Sequence, residues 1–241
     1  MNDALARWDV TRHQIEVPVP AGLDSDPFRA AVDLICVHGL LPPEPPAWLI
    51  LNDDDRRRMQ RLRVTDDVRR FLTGRVIAAS YARSFLGEER LVLERRLVDA
   101  GEEKPRWIDP VQPARRFPDL SISHSADHVL VAVCAGGDVG VDVELVTRFN
   151  GAGDPAMRHV LTAKERCQFA TVFEVASAFT AKEAVLKAVG WGFGIDPLSV
   201  EIIAGQVRRF DAPQARPVGL RHLDLPGPVA GHVAVAAAEM P

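Results

Sequence analysis

The segment Leu51-Asn52-Asp53-Asp54 is a helix-start signal with acidic residues where the helix dipole favours them. It returns 110 residues later as Leu161-Thr162-Ala163-Lys164-Glu165. Two more echoes follow in the same order. The helical stretch at Phe71 returns at Phe179, an offset of 108, and His128-Val129-Leu130-Val131-Ala132 returns as His232-Val233-Ala234-Val235-Ala236, an offset of 104. Ordered matches with slowly drifting offsets are the mark of a duplicated unit. Each copy mixes strand and helix patterns, so the predicted fold class is α+β. The expected architecture is two similar α+β lobes related by a pseudo-twofold axis, with the ligand cleft between them.

The 241 residues are enough for one large domain or two small ones. We place an N-terminal extension at 1–30, an N-terminal lobe at 31–137 and a C-terminal lobe at 138–241, joined near Gly136-Gly137. The extension carries Pro18, Pro20 and Pro27 and reads as loosely structured, with room for one short strand. Strands are expected at 31–37, 91–97, 120–123, 128–134 and 139–146, and helices at 53–61 and 65–86. A further helix is expected from Phe179, ending in the glycine-rich turn Gly190-Trp191-Gly192-Phe193-Gly194.

Composition excludes several functions. The net charge of −4 is far from the basic balance of a dedicated nucleic-acid binder. The apolar runs are too short to span a bilayer, and the start of the chain lacks the pattern of a secretion signal. Cys36, Cys134 and Cys167 are odd in number and far apart, which argues against a disulfide framework and for the cytoplasm. Of 29 basic residues only Lys104, Lys164, Lys182 and Lys187 are lysines, so each one invites a reason.

Three segments carry chemistry. In Gly140-Val141-Asp142-Val143-Glu144 the alternation of a strand puts Asp142 and Glu144 on one face. Two adjacent carboxylates repel, and a hard cation such as Mg²⁺ or Mn²⁺ relieves that; a solvated strand face is the bland alternative. In the helix Phe179-Thr180-Ala181-Lys182-Glu183-Ala184-Val185-Leu186-Lys187, Glu183 and Lys187 are at i and i+4 and project from one face. The bland reading there is a surface ion pair. Ser121-Ile122-Ser123-His124-Ser125 places hydroxyls and an imidazole at a strand end, where they either hold a phosphate or cap the strand.

Together these segments resemble the 4′-phosphopantetheinyl transferases of the Sfp-like, two-lobed type, over roughly residues 31–205. The family's G-[IV]-D-x-E strand matches at Gly140, Asp142 and Glu144. Its W-x-x-K-E-x-x-x-K helix matches at Lys182, Glu183 and Lys187, with Phe179 at the Trp position. Its S-H-S segment matches at Ser123-His124-Ser125, and its K-P pair at Lys104-Pro105. The sequence departs from the pattern at Ser121, often Asn, and at Glu103, often Gly.

The resemblance implies transfer of the 4′-phosphopantetheine arm of coenzyme A to a serine of an acyl or peptidyl carrier protein, with release of 3′,5′-ADP. Carriers of this kind serve fatty-acid, polyketide or non-ribosomal-peptide biosynthesis. The resemblance implies Asp142, Glu144 and Glu183 as ligands of Mg²⁺, with Mn²⁺ as the substitute. It makes Glu183 the base, directly or through a bound water, and Lys187 the group at the leaving phosphate. Arg58, Lys104, Ser123, His124 and Lys182 are then the coenzyme A contacts. A monomer is expected, since a duplicated chain builds its own cleft. Basic residues of the arginine-rich stretch 56–75 would steer an acidic carrier toward it.

Three other classes compete with this reading. A Mg²⁺-dependent nucleotide hydrolase could use the same carboxylates, but the chain has no G-x-x-x-x-G-K-[ST] loop. A non-catalytic coenzyme A or carrier-protein binding module needs no aligned base, and a purely structural protein leaves the paired carboxylates as coincidence.

Overall fold

A computed structural model describes residues 9–21, 26–94, 97–98, 101–102, 104–151, 153–190, 194–213 and 215–237. Trp191, Gly192 and Phe193 of the expected glycine-rich turn lie outside these residues. Helix and strand are mixed throughout, as an α+β chain requires.

The first half begins with β1 (Asp9–Val19) and β2 (Phe28–His38), antiparallel over their full length. Then come α1 (Asp53–Arg61) and α2 (Thr65–Tyr81). Short strands β3 (Val92–Glu94), β4 (Leu97–Val98), β5 (Gly101–Glu102) and β6 (Arg106–Ile108) lead to the hairpin of β7 (Asp119–Ser125) and β8 (His128–Cys134). The second half opens with β9 (Asp138–Leu145), α3 (Ala163–Arg166) and α4 (Val172–Ala188). The hairpin β10 (Val200–Ile203) and β11 (Gln206–Phe210) follows, then β12 (Val218–His222) and β13 (Val229–Ala236). The main sheets run β1-β2-β8-β7 and β12-β13-β9.

The halves have the same plan. The first offers strand, short helix, long helix and two strands in the sheet order β2-β8-β7; the second offers the same series in the order β9-β13-β12. Both short helices start as the sequence indicates. Asn52 caps α1 by accepting from the Asp55 amide, and Thr162 caps α3 by accepting from the Glu165 amide. In both, the acidic residue at the third helical position is buried and turned onto a base of the long helix. Asp55 Oδ1 accepts from Arg75 at 2.7 and 2.9 Å, and Glu165 Oε2 lies 2.8 Å from Lys182 Nζ.

The two sheets face one another across one apolar core. Val17 and Val19 of β1, Val32 and Leu34 of β2, Leu130 and Ala132 of β8, Val139, Val141 and Val143 of β9, and Val233 and Val235 of β13 all bury there. Outside it, α2 covers the first sheet with Ile77, Ala78 and Tyr81, and α4 covers the second with Ala181, Ala184, Val185 and Ala188. Each sheet thus has two buried faces, and β8 and β13 are apolar or small nearly throughout.

The expected N-terminal extension needs correction at residues 9–19. Ile15, Val17 and Val19 alternate inward as a strand's residues do, and Pro18 is tolerated because β1 lies at a sheet edge. β1 also closes the far side of the core against β12. Arg221 donates to the Glu16 carbonyl at 2.8 Å, and a Cβ on Gly219 would lie 2.1 Å from the Pro18 carbonyl oxygen. The helix expected from Phe179 begins earlier, at Val172, where Thr171 and Glu174 form a capping box.

Gly140 sets the seat of α4 on β9. A Cβ there would stand 1.9 Å from the Ala184 carbonyl oxygen and 2.5 Å from the Ala188 nitrogen, both main-chain atoms that cannot turn aside. We expect Gly140→Ala to destabilise the protein by at least ~2 kcal/mol, since overpacking against backbone forces the helix to move. Urea unfolding checks this, and a loss below about 0.5 kcal/mol would show that α4 has slack.

Candidate functional site

The free edge of β9 positions the site. Its amides at Val139, Val141, Val143 and Leu145 face β7 rather than a hydrogen-bonded strand. They donate to Asp119 Oδ2 (2.6 Å), Ser121 Oγ (3.1 Å), Ser123 Oγ (3.3 Å) and Ser125 Oγ (3.1 Å). A buried amide must find an acceptor, and here every second side chain of β7 supplies one. Two of these serines then donate onward. Ser123 Oγ gives its proton to Asp142 Oδ1 at 2.7 Å, and Ser125 Oγ to Glu144 Oε2 at 2.7 Å.

α4 closes over the same edge. Lys187 Nζ reaches Asp142 Oδ1 at 2.6 Å, the Val141 carbonyl at 3.3 Å and Ser123 Oγ at 3.4 Å. Glu183, one turn earlier, is 6% exposed. Burial, and then the charges of Asp142 and Glu144, push its carboxyl up to about 7, with Lys187 acting in the opposite sense. Asp142 is also raised, chiefly by burial, against the lowering effect of Lys187 and Ser123. The mutual influence of Asp142, Glu144 and Glu183 places these sequence-selected carboxylates in one field, with Lys187 among them.

The donor set suits a hard cation. Asp142 Oδ2 and Glu183 Oε1 are buried oxygens without hydrogen-bond partners, a costly state that a cation would relieve. The third carboxylate, Glu144, is instead engaged with Arg148 NH1 at 2.6 and 2.8 Å. As the side chains stand, no group of three His, Cys, Asp or Glu among the described residues is gathered closely enough to hold a metal. The chemistry fits and two oxygens are free, while Glu144 has to change partner to join them.

His124 ends the β7 face of the site. It is exposed at the surface, with protein crowding around it. That crowding, followed by the charges of Lys187, Arg70 and Arg58, pushes its pKa down to about 4. The imidazole is therefore neutral near pH 7 and stands in a cationic field. Arg58 lies with its guanidinium 5.8 Å from the Phe71 ring centre, close enough for His124 to feel its charge. Arg70 joins this group by bonding to the Ala126 carbonyl beyond β7 at 3.3 Å. Within the arginine-rich stretch, nothing in the sequence singles it out from its neighbours.

Two expected site lysines have partners outside the Asp142 cluster. Lys182 is 1% exposed, and its ammonium is used up by Glu165 and the carbonyls of Val160, Pro197 and Val200 at 2.6 to 3.0 Å. It points from α4 toward α3 and β10, and these bonds tie the three elements together. Lys104 pairs with Asp119 and donates to the Val139 carbonyl at 2.9 Å. That is three residues up β9 from Asp142, roughly 10 Å along the strand. Ser123 is at the cluster, but its hydroxyl is committed to Asp142 and the Val143 amide.

Residues 138–234, from β9 through most of β13, match the sequence profile of the 4′-phosphopantetheinyl transferase superfamily. The match contains Asp142, Glu144, Glu183 and Lys187. A protein of Synechocystis sp., provisionally described as a 4′-phosphopantetheinyl transferase, is 26% identical over an alignment covering 62% of this chain. The chain spans just under two thirds, 66%, of that relative's length.

The raised pKa of Glu183 gives the cation-free protein a measurable pH dependence. An unfolded Glu releases its proton near 4.5, and the folded one keeps it to about 7. The stability linked to this proton is therefore complete below about pH 4.5 and is lost as pH rises to 7, a change of ~3 kcal/mol. We expect Glu183→Gln, neutral at every pH, to be more stable than wild type by roughly 2 to 3 kcal/mol at pH 8 and nearly equal to it at pH 4.5. Urea unfolding at the two pH values in chelator reads the difference; an equal gap at both would place the shift elsewhere.

Proposed function

We propose that this chain, whose residues 138–234 match the profile of the 4′-phosphopantetheinyl transferase superfamily, moves the 4′-phosphopantetheine arm of coenzyme A to a serine of a carrier protein. One observation carries the reading: inside the matched segment, Asp142 and Glu183 each keep a buried oxygen without a partner, beside Lys187. A purely structural cluster would have no reason to leave those oxygens bare.

The residues divide the work. Asp142, Glu144 and Glu183 would hold Mg²⁺, or Mn²⁺ in its place, and the ion would offset the negative charge of the coenzyme A diphosphate. Glu183 takes the proton of the carrier serine, directly or through a bound water; a cation beside it would lower its pKa from the value of about 7 that it has without one. The serine oxygen bonds to the β-phosphorus of coenzyme A. The bond from that phosphorus to the bridging oxygen breaks, and the electron pair leaves with 3′,5′-ADP. Lys187 supplies positive charge and a proton where that oxygen departs. Neutral His124, with Arg58 and Arg70 around it, would receive a phosphate of coenzyme A near the end of β7. Lys104 acts at second hand here, through Asp119 and the start of β9.

We read the halves as two copies of one unit, in the manner of the Sfp-like type. Their common strand order supports this, as do the buried pairs Asp55–Arg75 and Glu165–Lys182 at matching places. The ligand would lie where the halves meet, along β7 and β9, and the chain would act as a monomer. Among the described residues no helix is long and apolar enough to cross a membrane.

The reading is tested by incubating the chain with coenzyme A, Mg²⁺ and apo carrier proteins, followed by intact-mass analysis. One phosphopantetheine group should be gained, and the gain should vanish with chelator. No gain with acyl or peptidyl carriers would overturn it.

Lys187 separates binding from turnover. We expect Lys187→Ala to bind coenzyme A within about tenfold of wild type, or ~1.4 kcal/mol. Single-turnover transfer should fall by about 10²-fold or more, because the lost charge acts mainly as the diphosphate breaks. Unchanged turnover would reduce Lys187 to a structural partner of Asp142.

A further inference from the structure

Glu144 differs from its two neighbours in how it is held. Ser125 donates to Oε2 at 2.7 Å and is itself buried and fixed, since its oxygen accepts from the Leu145 amide. Arg148 approaches both carboxylate oxygens through NH1, at 2.8 and 2.6 Å, from the single helical turn that follows β9. Its side chain is 61% exposed, against 16% for Glu144. One donor is thus built into the strand pair, and the other reaches in from solvent.

Resting on the cation reading above, we propose that Ser125 and Arg148 set the affinity of the site for a divalent cation in opposite directions through Glu144. Ser125 is a positioning residue: it holds the Glu144 carboxylate on the site face of β9 while stitching that strand to β7. Arg148 is a resident counter-cation. It occupies the oxygens that an incoming ion needs, and supplies positive charge to Glu144 until that ion arrives. The exposed pair is the weak link, because exposed ion pairs contribute little and are screened by salt. Arg148 can swing into solvent without any change in the chain. Asp142 Oδ2 and Glu183 Oε1 need no such exchange, being free already. The site therefore stands two oxygens open and one carboxylate latched.

The test is calorimetric titration of the whole chain with Mn²⁺, with Mg²⁺ in competition, in the absence of coenzyme A. Arg148→Ala should bind Mn²⁺ about three- to tenfold more tightly than wild type at low ionic strength, with the gap narrowing as NaCl is added. Ser125→Ala should bind more weakly by a similar factor, and Ser125→Thr, which keeps the hydroxyl, should recover most of the loss. Thermal unfolding run alongside checks the fold. Ser125→Cys, close in size but a poor donor, replaces Ser125→Ala should the latter not fold. Unchanged or weaker binding by Arg148→Ala overturns the counter-cation role, and unchanged binding by Ser125→Ala or Ser125→Cys overturns the positioning role. Wild type that binds Mn²⁺ with no difference among variants sinks this inference alone. Absence of divalent binding in every protein sinks the cation reading as well.

Discussion

Everything at the site depends on how β9 satisfies its unpaired edge. An edge strand presents amides that must bond to something. Here they bond to oxygens on β7 side chains, in a ladder whose two members keep a constant separation of 20 residues from 119 and 139 to 125 and 145. Side-chain oxygens, unlike backbone carbonyls, have something left to give. Ser123 and Ser125 accept from an amide and donate to a carboxylate at once, so the joint between the sheets also orients Asp142 and Glu144. Structural junction and chemical site are the same set of bonds.

That economy has an electrostatic counterpart. Three carboxylates share the field above β9, and the cations facing them are bound unequally. Lys187 is engaged by three oxygens at the heart of the cluster, and Arg148 by one carboxylate at its rim. Glu183 has no such partner on Oε1 and responds by holding its proton to about 7. Burial without compensation is unfavourable for folding, and it persists where a ligand supplies the balance.

Much of this could be read in the residues. Asn52 and Thr162 mark helix starts because capping is local, and the alternation at Val141 and Val143 fixes which way Asp142 and Glu144 point. Other features lie beyond such signals. β1 is masked by Pro18, since the sheet edge that tolerates this residue exists only once β2 and β12 are in place. Lys182 sits beside Glu183 in sequence, but neighbours on a helix diverge by about 100°, and Lys182 turns to Glu165. Lys104 is drawn to Asp119, which no spacing rule connects to it. Arg70 matters through the Ala126 corner, a contact made only by the tertiary fold.

The contact at Gly140 bears on how such a site can vary. Side chains normally set the gap between a helix and a sheet, and they can be exchanged for others with other rotamers. Beneath α4 the gap is set by main chain on main chain, with no rotamers to adjust. It acts as a gauge of fixed length, holding Glu183 and Lys187 at one height above Asp142. The apolar residues around it can drift in size and shape, as cores do, without recalibrating the distance on which the chemistry turns.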